Sequence, residues 1–231
     1  DQVNDFLDEA IRLCSDVIDS RLYSIWNYND LSGMKDMSYR YLFCLEDAAT
    51  NPVGVTKESN KEFIIKSVYD KDLKPGGVKL NMTVEKMSPS RKLMDMFLCT
   101  DGLPVEISDK FQGYSSPEKE FIDRDNRMKS DTDMDAQTAT AKILNSGNAG
   151  YGNMKFKCPE RGTAGEESPD YPVLRLAEVY LIYAEAVCER NNGVVTDEQL
   201  NYSINNLRGR AGIANLTNAL VETIKEKTGT S

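Results

Sequence analysis

Glu178 and Glu185 stand seven residues apart in a stretch, Tyr171 to Arg190, whose apolar residues recur at helical spacing, so both carboxylates fall on nearly one helix face. A carboxylate pair can cleave a glycosidic bond when its members sit about 5–5.5 or 6.5–9.5 Å apart, one as acid and the other as nucleophile or base. Two helical turns put these backbone positions ~10.5 Å apart, marginal for the wider arrangement. Arg175, three residues before Glu178, favours a different role: a structural ion-pair network of Arg175, Glu178 and Glu185 linking neighbouring helices. The chain has no histidine. That removes Ser-His-Asp and Cys-His nucleophile activation and every His-ligated metal site.

Asp131, Asp133 and Asp135 open like an EF-hand calcium loop, but its sixth and twelfth positions would hold Ala136 and Lys142 instead of Gly and Glu. A solvated acidic loop is the main reading and an irregular calcium site the lesser one. No metal and no cofactor is assigned. Arg124, Asp125 and Arg127 could fork onto an anionic ligand, and Arg208 and Arg210 onto a phosphate. Both groups read first as structural, the latter as helix C-terminal charges.

Aromatic residues in loop-like context offer a different chemistry. Trp26, Tyr28, Tyr114 and Tyr151 each lie beside Asn, Gly or Ser. An apolar ring with a few placed hydrogen-bonding groups suits a neutral glycan. The plainer alternative for any one of them is packing over a neighbouring helix. Trp26, with Asn27 and Asn29 beside it, is the largest platform, and Tyr114 is the second. The candidate ligand-binding set is therefore Trp26, Asn27, Tyr28 and Tyr114, placed on loops rather than on the Tyr171–Arg190 helix.

These residues need a scaffold. The 231 residues are 40% hydrophobic and 28% charged, an ordinary globular composition. A net charge of −9 without a dense Lys/Arg block argues against nucleic acid and against adsorption to an anionic membrane. The five dispersed cysteines form no C-x-x-C pair and read mostly as small buried hydrophobes. No apolar run is long enough for a membrane span, and no signal segment is present. Asp1 to Ser20 is an amphipathic helix. A short helix is expected within Tyr39–Ala49, a strand within Asn60–Tyr69, and a helix from Ser88-Pro89-Ser90 to Thr100, with Leu93, Met94, Met96 and Phe97 as its apolar face. Pro172 suits a first helical position, and Leu176, Val179, Tyr180, Tyr183, Ala184 and Val187 form the buried stripe behind it. Gly193 suits a left-handed cap, and Thr196 with Gln199 a capping box for a second helix carrying Leu200, Ile204 and Leu207.

The wording of this hairpin, P-V-L-R-L-A-E-V-Y-L-I-Y-A-E-A followed by I-N-N-L-R-G-R-A-G, resembles the SusD/RagB family of outer-membrane nutrient-binding lipoproteins. Further elements are similar in the family's order: the first helix running into D-S-R-L-Y, the N-K-E-F-I segment at Asn60, the helix running into D-G-L-P at Asp101, and R-D-N-R at Arg124. Family chains are longer, begin with tetratricopeptide-type helices, and continue past R-A-G into segments not recognised after Ile213. The chain therefore reads as a single SusD/RagB-like domain over residues 1–231, incomplete at both ends, with segments missing internally, notably between Met128 and Ala141.

The resemblance implies a mainly α fold with tetratricopeptide-type hairpins, long loops and minor β. It implies non-catalytic binding of an oligosaccharide or other nutrient at the cell surface, with a SusC-like TonB-dependent outer-membrane transporter as partner. A signal peptide and a lipidated cysteine anchoring the protein in the outer membrane would lie upstream of Asp1. A helical-repeat interaction module without a small ligand and a carboxylate-based glycosidase remain the alternatives.

Overall fold

The computed structural model describes residues 2–76, 88–131, 134–135, 140–141, 151–157 and 165–230. In chain order the elements are α1 (Gln2–Asp19), α2 (Ser38–Leu42), β1 (Phe63–Ser67), α3 (Arg91–Met96), α4 (Pro117–Phe121) and α5 (Asn126–Asp131). There follow the short strands β2 (Met134–Asp135) and β3 (Thr140–Ala141), then β4 (Tyr171–Arg175), α6 (Leu176–Arg190), α7 (Asp197–Tyr202), α8 (Ile204–Ala211) and α9 (Asn218–Thr228). β1 pairs antiparallel with β4, and β2 with β3. The fold is mainly helical with minor β, as the sequence predicts. Among the described residues no helix is long and apolar enough to cross a membrane.

α1 and α6, from opposite ends of the chain, form the principal helix pair. Cys14 packs with Leu176, Val179, Tyr183 and Val187, and Ile11, Val17 and Ile18 flank the seam. This is the stripe that the three-and-four spacing predicts on α6 and on the later turns of α1; Val3 and Phe6, which the same spacing would bury, are exposed at the start of α1. Each large side chain so buried contributes about 1.5–3 kcal/mol. A second cluster gathers Trp26, Met34, Tyr39, Leu42, Phe43, Leu45 and Phe63, and a third Met94, Phe121 and Met128. Cys14, Cys44 and Cys99 are buried and Cys188 partly so. Cys158 lies outside the described residues.

The turn chemistry behaves as its residues dictate. Gly193, at φ +89°, ends α6 by donating its N–H to Cys188 O at 2.8 Å, and Thr196 and Gln199 cap α7 reciprocally. Gly212 ends α8 at φ +68°, where an added Cβ would also meet Asn126 at 2.5 Å.

Several boundaries differ from expectation. Pro172 is not at a helix start but inside β4, opposite Lys66. A strand in a two-stranded sheet has a free edge, which tolerates a residue without an N–H, and the helix begins only at Leu176. The second hairpin helix breaks at Ser203 (φ −120°, ψ −97°), whose hydroxyl donates to Gln199 O at 2.6 Å, giving α7 and α8. The helix expected within Tyr39–Ala49 is the single turn of α2. α3 stops at Met96 and buries Met94 while leaving Leu93 and Met96 exposed. The acidic run from Asp131 to Asp135, with its lesser calcium reading, and the expected gap between Met128 and Ala141 lie largely outside the described residues.

The elements converge on one carboxylate. Glu62, just before β1, is fully buried. Its Oε1 accepts from Arg175 Nη1 at 2.8 Å, and its Oε2 accepts from Trp26 N at 2.9 Å and from Arg210 Nη1. The Arg175 guanidinium lies 5.3 Å from the Phe43 ring centroid and that of Arg210 5.1 Å from Tyr39. Leu176 N donates to Glu62 O at 2.9 Å, so the first residue of α6 is tied to the same position.

Candidate functional site

Two short helices build a half-exposed cluster of aromatic and charged side chains. Ser90 caps α3 by accepting from Leu93 N at 3.2 Å, which sets Arg91 at the helix's first position. Ser116 caps α4, Pro117 occupies its first turn, and Glu120 follows one turn on. Beneath them Arg124 is 1% exposed and donates to three carbonyls, Met94 O at 2.7 Å, Phe97 O at 2.9 Å and Glu120 O at 3.0 Å. One rigid guanidinium thus satisfies orphan carbonyls of two helix ends and locks α3 to α4. Burial pushes its pKa down, against the pull of the Cys99 and Glu120 environments.

On this base Arg91 lies 3.9 Å from the Tyr114 ring centroid and 5.9 Å from that of Tyr151. It pairs with Asp95 (Nε–Oδ1, 3.2 Å) and Glu120 (Nη1–Oε2, 3.3 Å), and it also donates to the Tyr151 hydroxyl. Tyr151 donates to Glu120 Oε1 at 2.6 Å, and Tyr114 to Asp95 Oδ1 at 3.1 Å. Burial and the Glu120 carboxylate push the Tyr151 phenol well above its ordinary range, so it remains a donor. Phe111 sets its edge against Tyr114, with centroids 4.8 Å apart. The Tyr114 ring is still 52% exposed and the Arg91 side chain 46%. A held ring beside a guanidinium and a carboxylate is equipment for a hydroxylated ligand with an apolar face.

The structure separates the sequence-predicted binding set. Trp26 is 2% exposed, its ring inside the second core cluster and its Nε1 donating to Ser59 Oγ at 3.0 Å. The expected platform is therefore a core residue: the indole N–H finds a protein partner, and Arg210 and Glu62 hold its backbone on either side. Tyr28 packs tilted against it at 4.9 Å, half-buried. Asn27 is exposed, but its Oδ1 accepts from Asn29 N at 3.1 Å and it lines a different cavity, at the end of α1. Only Tyr114 presents an open ring. Tyr151, Arg91, Asp95 and Glu120 join it there; the sequence singled out Tyr151 but showed no signal for the other three, because their convergence runs through tertiary contacts.

The ion-pair expectation is corrected as well. Glu178 and Glu185 are exposed and without a salt bridge among the described residues, and Arg175 pairs with Glu62 instead. At about 100° per residue, positions two and nine beyond Leu176 lie across the helix from its buried stripe. They line neither of the two cavities among the described residues, one at the end of α1 and one beside β1. Arg124, Asp125, Arg208 and Arg210 are all buried and bonded within the fold, as their structural reading requires.

Beside β1, Asp170 accepts from Lys57 at 3.0 Å and Lys66 at 2.7 Å, while Lys57 also donates to Tyr69 O and Ser168 O, each at 2.6 Å. That cavity, about 410 Å³, is lined in part by this Asp170–Lys57–Lys66 cluster, whose charges are already paired. Among the described residues no three carboxylate or cysteine side chains are grouped to hold a metal ion.

Residues 130–227 match the model of the SusD family. The match runs past Ile213, where the sequence reading ended the resemblance, and takes in α9. No curated protein matches the chain. Among solved structures it is similar to a SusD-like protein from Bacteroides fragilis, with 21% identity and a TM-score of 0.60 over 99% of this chain and 49% of that one. It is also similar to a SusD-like carbohydrate binding protein from the same organism, with 18% identity and a TM-score of 0.57 over 99% of this chain and 46% of that one. The chain thus spans about half the length of these structures and shares their fold. Residues 130–227 thus match the SusD family model, and the chain shares the fold of SusD-like structures along nearly its whole length.

Proposed function

We propose that the protein binds an oligosaccharide without transforming it, at the surface formed by Arg91, Asp95 and Tyr114. The observation that carries this reading is the half-exposed Tyr114 ring, held by Arg91 and Asp95 on a base that Arg124 makes rigid. A sugar's C–H face would stack on the ring, and its hydroxyls would find a donor in the guanidinium and an acceptor in the carboxylate. The description of one similar structure as a carbohydrate binding protein supports the ligand class. In the same reading the protein is lipid-anchored at the outer membrane and hands its ligand to a SusC-like TonB-dependent transporter. Retention of that transporter when the full-length protein is purified from outer membranes tests this partnership.

A glycan array probed with the protein and with Tyr114→Ala tests the site. The variant should lose ~1–3 kcal/mol of affinity, by analogy with base–aromatic stacking. Its stability should fall by no more than about 2 kcal/mol, since an exposed cation–π contact, an aromatic edge contact and an exposed hydrogen bond are each worth about 1 kcal/mol or less. Equal glycan binding by the two proteins would remove the site assignment.

A further inference from the structure

The cavity at the end of α1 has a different make-up from the Tyr114 surface. It is an open hollow of about 550 Å³, within the size range of small-molecule sites. Ile18 and Asp19 of α1, the Arg21–Asn27 segment, Tyr180 of α6 and the α7–α8 junction line it. Arg21 turns the chain off the helix at φ +54°, an uncommon conformation for a residue with a Cβ. Tyr23, Tyr180 and Tyr202 supply aromatic walls, and Ile18 and Ile25 back onto the α1–α6 core.

Its polar groups are positioned but only half used. Asn206 donates from Nδ2 to Asn201 O, Tyr202 O and Ser203 O at 3.0–3.2 Å, which fixes the carboxamide and leaves Oδ1 without a partner among the described residues. Asn201 accepts from Asn205 at Oδ1 (2.7 Å), and Asn27 from Asn29 N; in both the Nδ2 donors make no hydrogen bond among the described residues. The same holds for the guanidinium of Arg21 and the hydroxyls of Tyr23 and Tyr180. Asp19, the one carboxylate on the wall, already accepts from Tyr202 at 2.8 Å.

We propose that this cavity is a second ligand site, for a neutral saccharide unit, separate from the Arg91–Tyr114 surface. Two amide donors and an amide acceptor with orientations set in advance complement hydroxyls, each of which both donates and accepts. A wholly apolar ligand would cover those amides without offering them a hydrogen bond. A phosphate would find one guanidinium and no second cation on the wall. The ligand class rests on the glycan-binding reading above; the site rests on its own geometry.

The test is an NMR titration of the isotope-labelled chain, following the side-chain amides of Asn27, Asn201 and Asn206. The probes are maltotriose, cellotriose and xylotriose at about 10 mM, above the millimolar affinities of weak sites, with inorganic phosphate as the control. At least one trisaccharide should shift these three signals. Asn27→Ala, at an exposed position, together with Tyr180→Phe should weaken that response about tenfold, and Tyr114→Ala should leave it unchanged. Silence of the three amides toward every trisaccharide, a response to phosphate alone, or loss of the response in Tyr114→Ala would overturn the proposal. Failure of the Tyr114 site would instead show as unchanged glycan affinity in Tyr114→Ala, whatever the cavity amides do.

Discussion

Glu62 and Glu120 are held by the same kinds of partner, arginine and aromatic rings, and the two clusters serve different ends. At Glu62 two guanidiniums, the Trp26 N–H and the rings of Tyr39 and Phe43 close completely around a carboxylate with no exposure. At Glu120 the carboxylate is buried to a similar degree, but its arginine is 46% exposed and the Tyr114 ring stands open. A sealed ion cluster must be complete, because any partner left over keeps its full desolvation penalty. An open one loses little when a member is replaced by water, so its groups remain available to a ligand. The role follows from closure, not from residue type.

That contrast sets the sizes of the expected effects. Glu62→Ala leaves two guanidiniums and the Trp26 N–H unpaired in the interior, and should cost about 3–5 kcal/mol; chemical denaturation would measure it, and a loss below 1 kcal/mol would mean the cluster is hydrated rather than sealed. Trp26→Ala leaves a cavity in the core cluster around it, for about 3–5 kcal/mol on the large-to-small scale. Since the ring is buried, its glycan affinity should be unaffected once the folded fraction is accounted for. Reduced affinity in the folded Trp26→Ala protein would restore the indole as a ligand platform.

Asp170 lies between the two extremes, its carboxylate 5% exposed but its partners Lys57 and Lys66 at 20% and 30%. Burial alone would raise its pKa, yet hydrogen bonds from Lys66, Lys57 and the Tyr69 N–H outweigh this and hold it below the ordinary carboxylate value. A depressed folded-state pKa stabilises the protein above the unfolded value of about 3.9, and that contribution disappears as the pH falls through the folded one. Melting temperatures followed from about pH 5 to pH 2 should therefore fall less steeply for Asp170→Asn than for the parent. Parallel curves would show that the lysines contribute nothing through this charge. At the small end, Glu178→Gln and Glu185→Gln should each change stability by less than about 0.5 kcal/mol. A double variant losing several times that amount would reveal a buried network that the exposed positions do not show.

How far each feature could be read in advance depends on the range of the interaction behind it. The α6 stripe, the later turns of the α1 stripe, the Gly193 cap and the Thr196–Gln199 box rest on residues within one or two turns of each other, and these stand where their spacing puts them. Pro172 was misplaced because its strand exists only through pairing with β1, more than a hundred residues earlier. Trp26 looked like a loop platform because its neighbours are asparagines, while the partners that bury it, Phe63, Glu62, Ser59 and Arg210, come from distant positions.

By itself the sequence determined the helical character of the chain, its caps, its lack of histidine chemistry and the wording that resembles SusD/RagB, since propensity, periodicity and composition act locally. Which carboxylate is gripped by Arg175 and Arg210, and whether Trp26 or Tyr114 meets solvent, only the tertiary structure decided. Both depend on what other segments place above a side chain, and the free energy of a charge or a ring turns on that covering far more than on its neighbours along the chain.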